Sequence, residues 1–227
     1  MKRYAVIVAG GSGTRMGGGL PKQFRSLCGR PVLWWSMKAF HEENPETRLI
    51  IVLPKDFIRL WKDNYLSLPE RDQIPHDVVE GGDSRTESVK KGLSYIKDDD
   101  SYVAIHDGAR PLVTKDMIVS GWNYAKEYGN GIPVIPVTNS LRKFVDNVTT
   151  ESVNRDFYCV VQTPQVFKTS LIKEAYEKAG DEIFTDDATV MENAGHFIHL
   201  FGGSPDNIKI TNPKDLAIAA VLMGKDA

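Results

Sequence analysis

Short apolar runs rich in β-branched residues recur at residues 4–9, 49–53, 78–80, 102–106 and 132–137, each too short for a buried helix and each ending in turn-forming residues. Between them, at residues 32–41, 55–65, 84–96 and 115–128, apolar positions fall at the three- and four-residue spacing of a helix face. The alternation predicts βαβ units, hence a mostly parallel sheet covered by helices on both faces. In such sheets ligands bind beyond the carboxyl ends of the strands. That rule singles out the loops starting at Gly10, Gly81, Asp107 and Thr138.

From Thr138 to about Thr163 the pattern changes. Two β-like runs, 140–145 and 158–162, flank a polar stretch at 146–156, which predicts a protruding hairpin that packs against a second subunit or lies on the surface as a flap. Beyond it come helices near 170–179 and 187–193, strands at 196–201 and 207–210, and a closing helix at 214–223. No repeat, linker or low-complexity segment interrupts the chain, so residues 1–227 are expected to form a single domain with 138–163 as its arm.

Composition narrows the function classes. With 227 residues, 41% hydrophobic and 26% charged, the chain can bury one sizeable core. Its net charge of -2 gives no general attraction to nucleic acid, whereas a few placed cations suffice for a small anionic ligand. Cys28 and Cys159 have no second thiol or histidine at a metal spacing, which argues against a disulfide framework or zinc and fits a reducing cytoplasm. The basic start and apolar run at 4–9 superficially resemble a signal peptide, but the run stops at Gly10-Gly11 and reads as a strand. No stretch approaches the roughly 20 apolar residues of a membrane span, so no membrane partner is expected.

The first of the marked loops, Ala9-Gly10-Gly11-Ser12-Gly13-Thr14-Arg15-Met16, is followed by Pro21-Lys22-Gln23. Glycines let backbone N–H groups approach an anion closely, and two cations in one loop can neutralise a polyphosphate. The loop is therefore expected to bind phosphates. It lacks the Gly-Lys-Ser/Thr of a Walker loop, and Met16 occupies the third glycine position of the dinucleotide fingerprint. Asp107-Gly108-Ala109-Arg110 ends another strand. There Asp107 suits a magnesium ion that also holds a triphosphate and Arg110 suits a phosphate, although an Asp–Arg pair closing a turn accounts equally well for them. In Gly81-Gly82-Asp83-Ser84-Arg85-Thr86-Glu87-Ser88 the small residues can lie beside a base or ribose, or the segment can simply cap a helix with Arg85 exposed. Lys209 alone reads as a solvated strand residue, and His106 as a hydrogen-bonded structural histidine.

Taken together, Gly10-Gly11-Ser12-Gly13-Thr14-Arg15-Met16, Pro21-Lys22-Gln23, Gly81-Gly82-Asp83-x-Arg85, His106-Asp107-x-Ala109-Arg110-Pro111, Thr163-Pro164-Gln165, Thr185-Asp186-Asp187-Ala188 and Asn207-Ile208-Lys209-Ile210-Thr211 resemble the 2-C-methyl-D-erythritol 4-phosphate cytidylyltransferase family, in order and across nearly the whole chain. The resemblance implies a Rossmann-like three-layer α/β fold of the nucleotide-diphospho-sugar transferase type, and a homodimer joined by the arm. The implied reaction is CMP transfer from CTP to the polyol phosphate in isoprenoid precursor biosynthesis. Ala9, Gly10, Gly11, Ser12, Gly13, Thr14, Arg15 and Lys22 would then hold the triphosphate, and Gly82, Asp83, Arg85 and Ser88 would lie towards cytosine and ribose. Asp107 would serve magnesium and substrate. Arg110, Ser140, Thr163, Thr185, Lys209 and, across the dimer, Arg155 would surround the polyol phosphate. Arg15, Lys22 and Lys209 would carry the catalytic charge stabilisation. Thr138-Asn139-Ser140 departs from the family pattern, where Arg-Asp and threonine are familiar; Ser140 keeps the hydroxyl donor. Two other readings compete: a ribitol 5-phosphate cytidylyltransferase and a nucleotide-binding module without catalysis.

Overall fold

The computed structural model describes residues 1–10, 20–180 and 182–224. Its central layer is an eight-stranded sheet. The middle is parallel: β1 (Arg3–Val8) lies between β4 (Arg48–Leu53) and β6 (Tyr102–Asp107), and β5 (Asp77–Glu80) extends it beyond β4. β7 (Asn130–Pro136) is joined to β6 through the antiparallel β11 (Gln165–Lys168), and it also pairs with β10 (Cys159–Val161) and, in parallel, with β12 (Leu200–Gly202). Two small ribbons, β2 (Ser26–Leu27) with β3 (Arg30–Pro31) and β8 (Arg142–Phe144) with β9 (Thr150–Ser152), stand outside the sheet.

The nearly unbroken apolar run of β1 follows from helices on both faces. Ala5 and Ile7 face one cluster, built with Leu33, Met37 and Phe40 of α1 (Val32–Glu43), Trp61 of α2 (Lys55–Leu66) and Ile118 and Trp122 of α4 (Lys115–Tyr128). Tyr4 and Val6 face the other, with Val89 and Leu93 of α3 (Arg85–Tyr95), Ile172 and Tyr176 of α5 (Thr169–Lys178) and Val190 and Met191 of α6 (Asp187–Asn193). α7 (Pro213–Leu222) closes a smaller cluster, setting Ala219 and Ala220 against Leu27, Val32 and Ile210.

The five principal strands and the helices fall where the sequence pattern predicts them, but the arm differs. β8 pairs with β9, which lies inside the stretch read as polar, with Arg142 opposite Ser152 and Phe144 opposite Thr150. The run at 158–162 joins the main sheet instead, as β10 against the end of β7. Thr-Glu-Ser of β9 buries no face, so hydrophobicity carried no signal for it. Residues 207–210 do not form the expected strand; Ile210 N–H donates to Ala109 O at 2.8 Å instead.

Candidate active site

β1, β5 and β6 end at one edge of the sheet, where backbone bonds gather the loops that follow. Ala9 N–H donates to Val52 O at 2.9 Å, Gly81 N–H to Leu53 O at 2.8 Å, and Gly108 N–H to Val8 O at 2.9 Å. The 207–211 segment is tied in by Asn207 Nδ2, which donates to Thr163 O at 2.9 Å, and by Arg110 Nη1, which donates to Asn207 O at 2.7 Å. α3 starts on a side-chain cap, with Ser84 Oγ accepting from Glu87 N–H at 3.0 Å. Ser88, one turn on, accepts from Gly82 N–H at 3.1 Å. A Cβ on Gly10 would stand 3.4 Å from its hydroxyl and one on Gly81 3.0 Å, so Ser88 is wedged between two of the loops.

Two adjoining clefts open at this edge. The larger, about 630 Å³, is lined by Ala9, Gly10, Lys22, Gly82, Asp83 and Ser88 among others. The smaller, about 140 Å³, is lined by Arg110, Thr163, Thr185 and Asp186 among others. Arg85, Asp107 and Lys209 line both, so a carboxylate and two cations form the wall between them.

Charge converges on that wall. Asp107 Oδ2 lies 2.9 Å from Lys209 Nζ and 3.4 Å from Arg110 Nε, and Oδ1 lies 3.7 Å from Arg85 Nε. Burial alone would raise the Asp107 pKa, but Lys209, Arg85 and Arg110 together hold it well below the usual carboxylate range, and the group is ionised at neutral pH. Burial likewise works against the Arg85 cation, yet Asp187 and then Asp107 raise its pKa above the ordinary value. His106, fully buried, is pushed down to about 4 by desolvation and is neutral. Its Nε2 lies 3.1 Å from Arg110 O, which can only accept, so Nδ1 accepts from the Thr163 hydroxyl at 3.1 Å. Thr163 Oγ1 in turn accepts Asp107 N–H at 3.1 Å. With both ring nitrogens committed, His106 orients the strand end.

The structure thus brings together Ala9, Gly10, Lys22, Gly82, Asp83, Arg85, Ser88, Asp107, Arg110, Thr163, Thr185 and Lys209. Gly11, Ser12, Gly13, Thr14 and Arg15 lie outside the described residues. Ser140 and Arg155 are exposed on the arm and line neither cleft; Arg155 Nη1 donates to Thr138 O. Lys209 keeps the exposure expected of it but lies outside any strand, and its ammonium is committed to Asp107. Arg85 is not an exposed capping residue either, since it forms a two-pronged ion pair with Asp187 at 3.0 and 2.6 Å. Asp187 drew no role from the sequence: nothing marks one aspartate of Thr185-Asp186-Asp187 until the fold brings Arg85 to it.

Converging cations around one ionised carboxylate, at the carboxyl edge of a Rossmann-like three-layer sheet, define the class: a nucleotidyltransferase. The family model described as "IspD: 2-C-methyl-D-erythritol 4-phosphate cytidylyltransferase" matches residues 4–225, and the chain belongs to that family. A relative of that description from Phocaeicola vulgatus is 42% identical over 223 residues, covering 98% of this chain and 100% of the relative. Another, from Clostridium novyi, is 39% identical over 225 residues, covering 98% and 96%. Among solved structures, 4-diphosphocytidyl-2C-methyl-D-erythritol synthase from Anaerococcus prevotii superposes with a TM-score of 0.83 at 26% identity, covering 99% of each chain. The 2-C-methyl-D-erythritol 4-phosphate cytidylyltransferase from Thermus thermophilus gives 0.79 at 27% identity, covering 99% of this chain and 100% of that one.

Proposed function

We infer that the chain transfers the cytidylyl group of CTP to 2-C-methyl-D-erythritol 4-phosphate, releasing pyrophosphate and forming 4-diphosphocytidyl-2-C-methyl-D-erythritol, a step of isoprenoid precursor biosynthesis. The observation that carries this reading is the pair of clefts sharing Arg85, Asp107 and Lys209: a two-substrate reaction between phosphates needs two anion sites that meet.

The chemistry follows from charge. A phosphate oxygen of the polyol phosphate attacks the α-phosphorus of CTP, a new P–O bond forms, and the bond to the β-phosphate oxygen breaks with its electron pair leaving on pyrophosphate. The attacking phosphate is already an oxyanion near neutral pH, so no general base is required, in keeping with a neutral His106 whose nitrogens are both occupied. What must be overcome is repulsion between two anions, and prior positioning is worth roughly 7–11 kcal/mol. Lys22 on the larger cleft and Lys209 on the shared wall supply fixed positive charge, Arg110 and Thr163 face the smaller cleft, and Arg15 would add to the triphosphate side.

A magnesium ion here would depend on Asp107, whose carboxylate also pairs with Lys209 and Arg110. Among the described residues no group of three or more His, Cys, Asp or Glu side chains could hold a metal by itself, whereas Asp107 offers an ionised carboxylate on the wall of both clefts. A hard cation of this kind uses one or two carboxylates plus phosphate oxygens, and Asp107 would hold it while it neutralised phosphate charge. Arg155 and Ser140 would complete the smaller cleft from the arm, Arg155 across a homodimer. The chain would work in the cytoplasm, consistent with its two free cysteines and with no described helix long and apolar enough to cross a membrane.

Pyrophosphate release is the direct test, with each nucleoside triphosphate paired in turn with 2-C-methyl-D-erythritol 4-phosphate and with ribitol 5-phosphate. Release with CTP and the methylerythritol phosphate, abolished by chelation and restored by magnesium, is the expected result. Release with ribitol phosphate alone would reassign the substrate, and none with any pair would leave a binding module.

A further inference from the structure

Asp187 is fully buried and lines neither cleft, so it touches no substrate. Its two carboxylate oxygens nevertheless accept three hydrogen bonds: from Arg85 Nη1 at 3.0 Å and Nη2 at 2.6 Å, and from the Tyr176 hydroxyl at 2.5 Å. Its backbone is held as well. Gln165 Oε1 on β11 accepts Asp187 N–H at 3.0 Å and Ala188 N–H at 2.8 Å, while Gln165 Nε2 donates to Asp186 at 3.0 Å. Arg85, with both terminal nitrogens on Asp187, turns its remaining Nε towards Asp107 Oδ1 at 3.7 Å. The fork that would grip a phosphate bidentately is therefore spent beneath the cleft. Without Asp187, the Arg85 guanidinium would be free to move onto Asp107 or into either cleft, and Asp107 would keep Lys209 and Arg110 on Oδ2 but lose the fixed cation facing Oδ1.

We propose that Asp187 is a positioning residue for the transfer reaction: held by Tyr176 and Gln165, it locks Arg85 against Asp107, and Arg85 orients that carboxylate instead of binding nucleotide phosphate. This rests on the cytidylyl-transfer reading and assigns that site a further member. A buried carboxylate is costly to desolvate, and a purely structural tie between α3 and α6 does not need a charged pair that reaches on to Asp107.

The test is a double-mutant cycle on kcat and KM with CTP and the methylerythritol phosphate, using parent, Asp187→Asn, Arg85→Gln and the double variant, with thermal melting of each. If Asp187 acts through Arg85, Asp187→Asn lowers kcat by about 100-fold, as misplacement of a reacting group does, and leaves the KM for CTP within about three-fold. In the Arg85→Gln background it lowers kcat no further, because the contact it serves is already gone. An equal loss of kcat in both backgrounds, or a lowered melting temperature with kcat unchanged, overturns the assignment. If Asp187→Asn does not fold, Tyr176→Phe removes one bond to the same carboxylate and is judged by the same non-additivity, with a loss of roughly ten-fold expected. An inactive parent would sink the transfer reading and this assignment with it; an active parent with multiplicative losses would sink the assignment alone.

Discussion

His106 stands one residue from the ionised Asp107, fully buried, with Arg110 and Lys209 nearby, and the fold resolves the conflict by keeping the imidazole neutral. Desolvation lowers its pKa from 6.5 to about 4, against the opposing attraction of Asp107. The sign of the consequence follows from proton counting. Between those two values the unfolded chain binds a proton that the folded chain refuses, so stability rises with pH across the window. The contribution is complete above pH 6.5 and is lost as pH falls from there towards 4, with an upper limit on the order of 3 kcal/mol. Urea unfolding across this range, in the parent and in His106→Gln, separates the histidine's contribution from the titration of carboxylates. The variant is expected to lose the extra pH slope, and equal slopes in the two proteins would acquit His106. Of the candidate residues, those ending strands were legible from the chain alone, since a strand's carboxyl end is a ligand position whatever else surrounds it. Asp107, Gly10 and Gly82 fell to that rule. The Arg85–Asp187 pair did not, because its members are separated by 102 positions and each looks locally like a capping or solvated charge.

The helices lie close on the sheet because small residues face it. Gly92 in α3 has no room for a side chain: a Cβ there would come within 2.6 Å of Val6 Cγ1 and 3.0 Å of Val52 Cγ2. Two effects oppose one another on substitution. Alanine in a helix interior gains about 1 kcal/mol over glycine, whereas overpacking a well-filled core costs about 1–3 kcal/mol. Val6 is fully buried in β1, flanked by strands on both sides, and cannot retreat, so the clash is expected to win. Gly92→Ala should lower stability by about 1 kcal/mol, read as a lower urea midpoint at unchanged slope. A variant as stable as the parent would mean that Val6 yields. The same packing explains what could be read of the fold in advance. β1, β4 and β6 are buried on both faces and announce themselves as apolar runs. β11 presents only Val166 and Phe167 between Gln165 and Lys168, too short a run to stand out, and β9 has no apolar residue at all.

For the whole molecule, the arm poses a solvation problem that one chain leaves unsolved. Phe144 is 74% exposed, Val148 90% and Phe157 85%, and the nearby β10 has all three of its residues exposed along a strand that, among the described residues, pairs only with β7. Isolated apolar side chains on a surface are ordinary, but three of them on one short arm that leads into an exposed strand offer a surface suited to a partner. The homodimer proposed above would cover these residues and carry Arg155 from the arm towards the neighbour's smaller cleft. The arm lies outside all three apolar clusters, so charges placed on it should leave the fold intact. Sedimentation at micromolar concentration is expected to give the parent a mass twice the 25.3 kDa of one chain. Val148→Glu combined with Phe157→Glu should give single chains with an unchanged melting curve and a raised KM for the polyol phosphate, while the KM for CTP stays near its parental value, because only the smaller cleft would lose a residue. A parent that sediments as a single chain, or a monomeric variant with both KM values untouched, would remove the arm from the site and leave its apolar surface without this explanation.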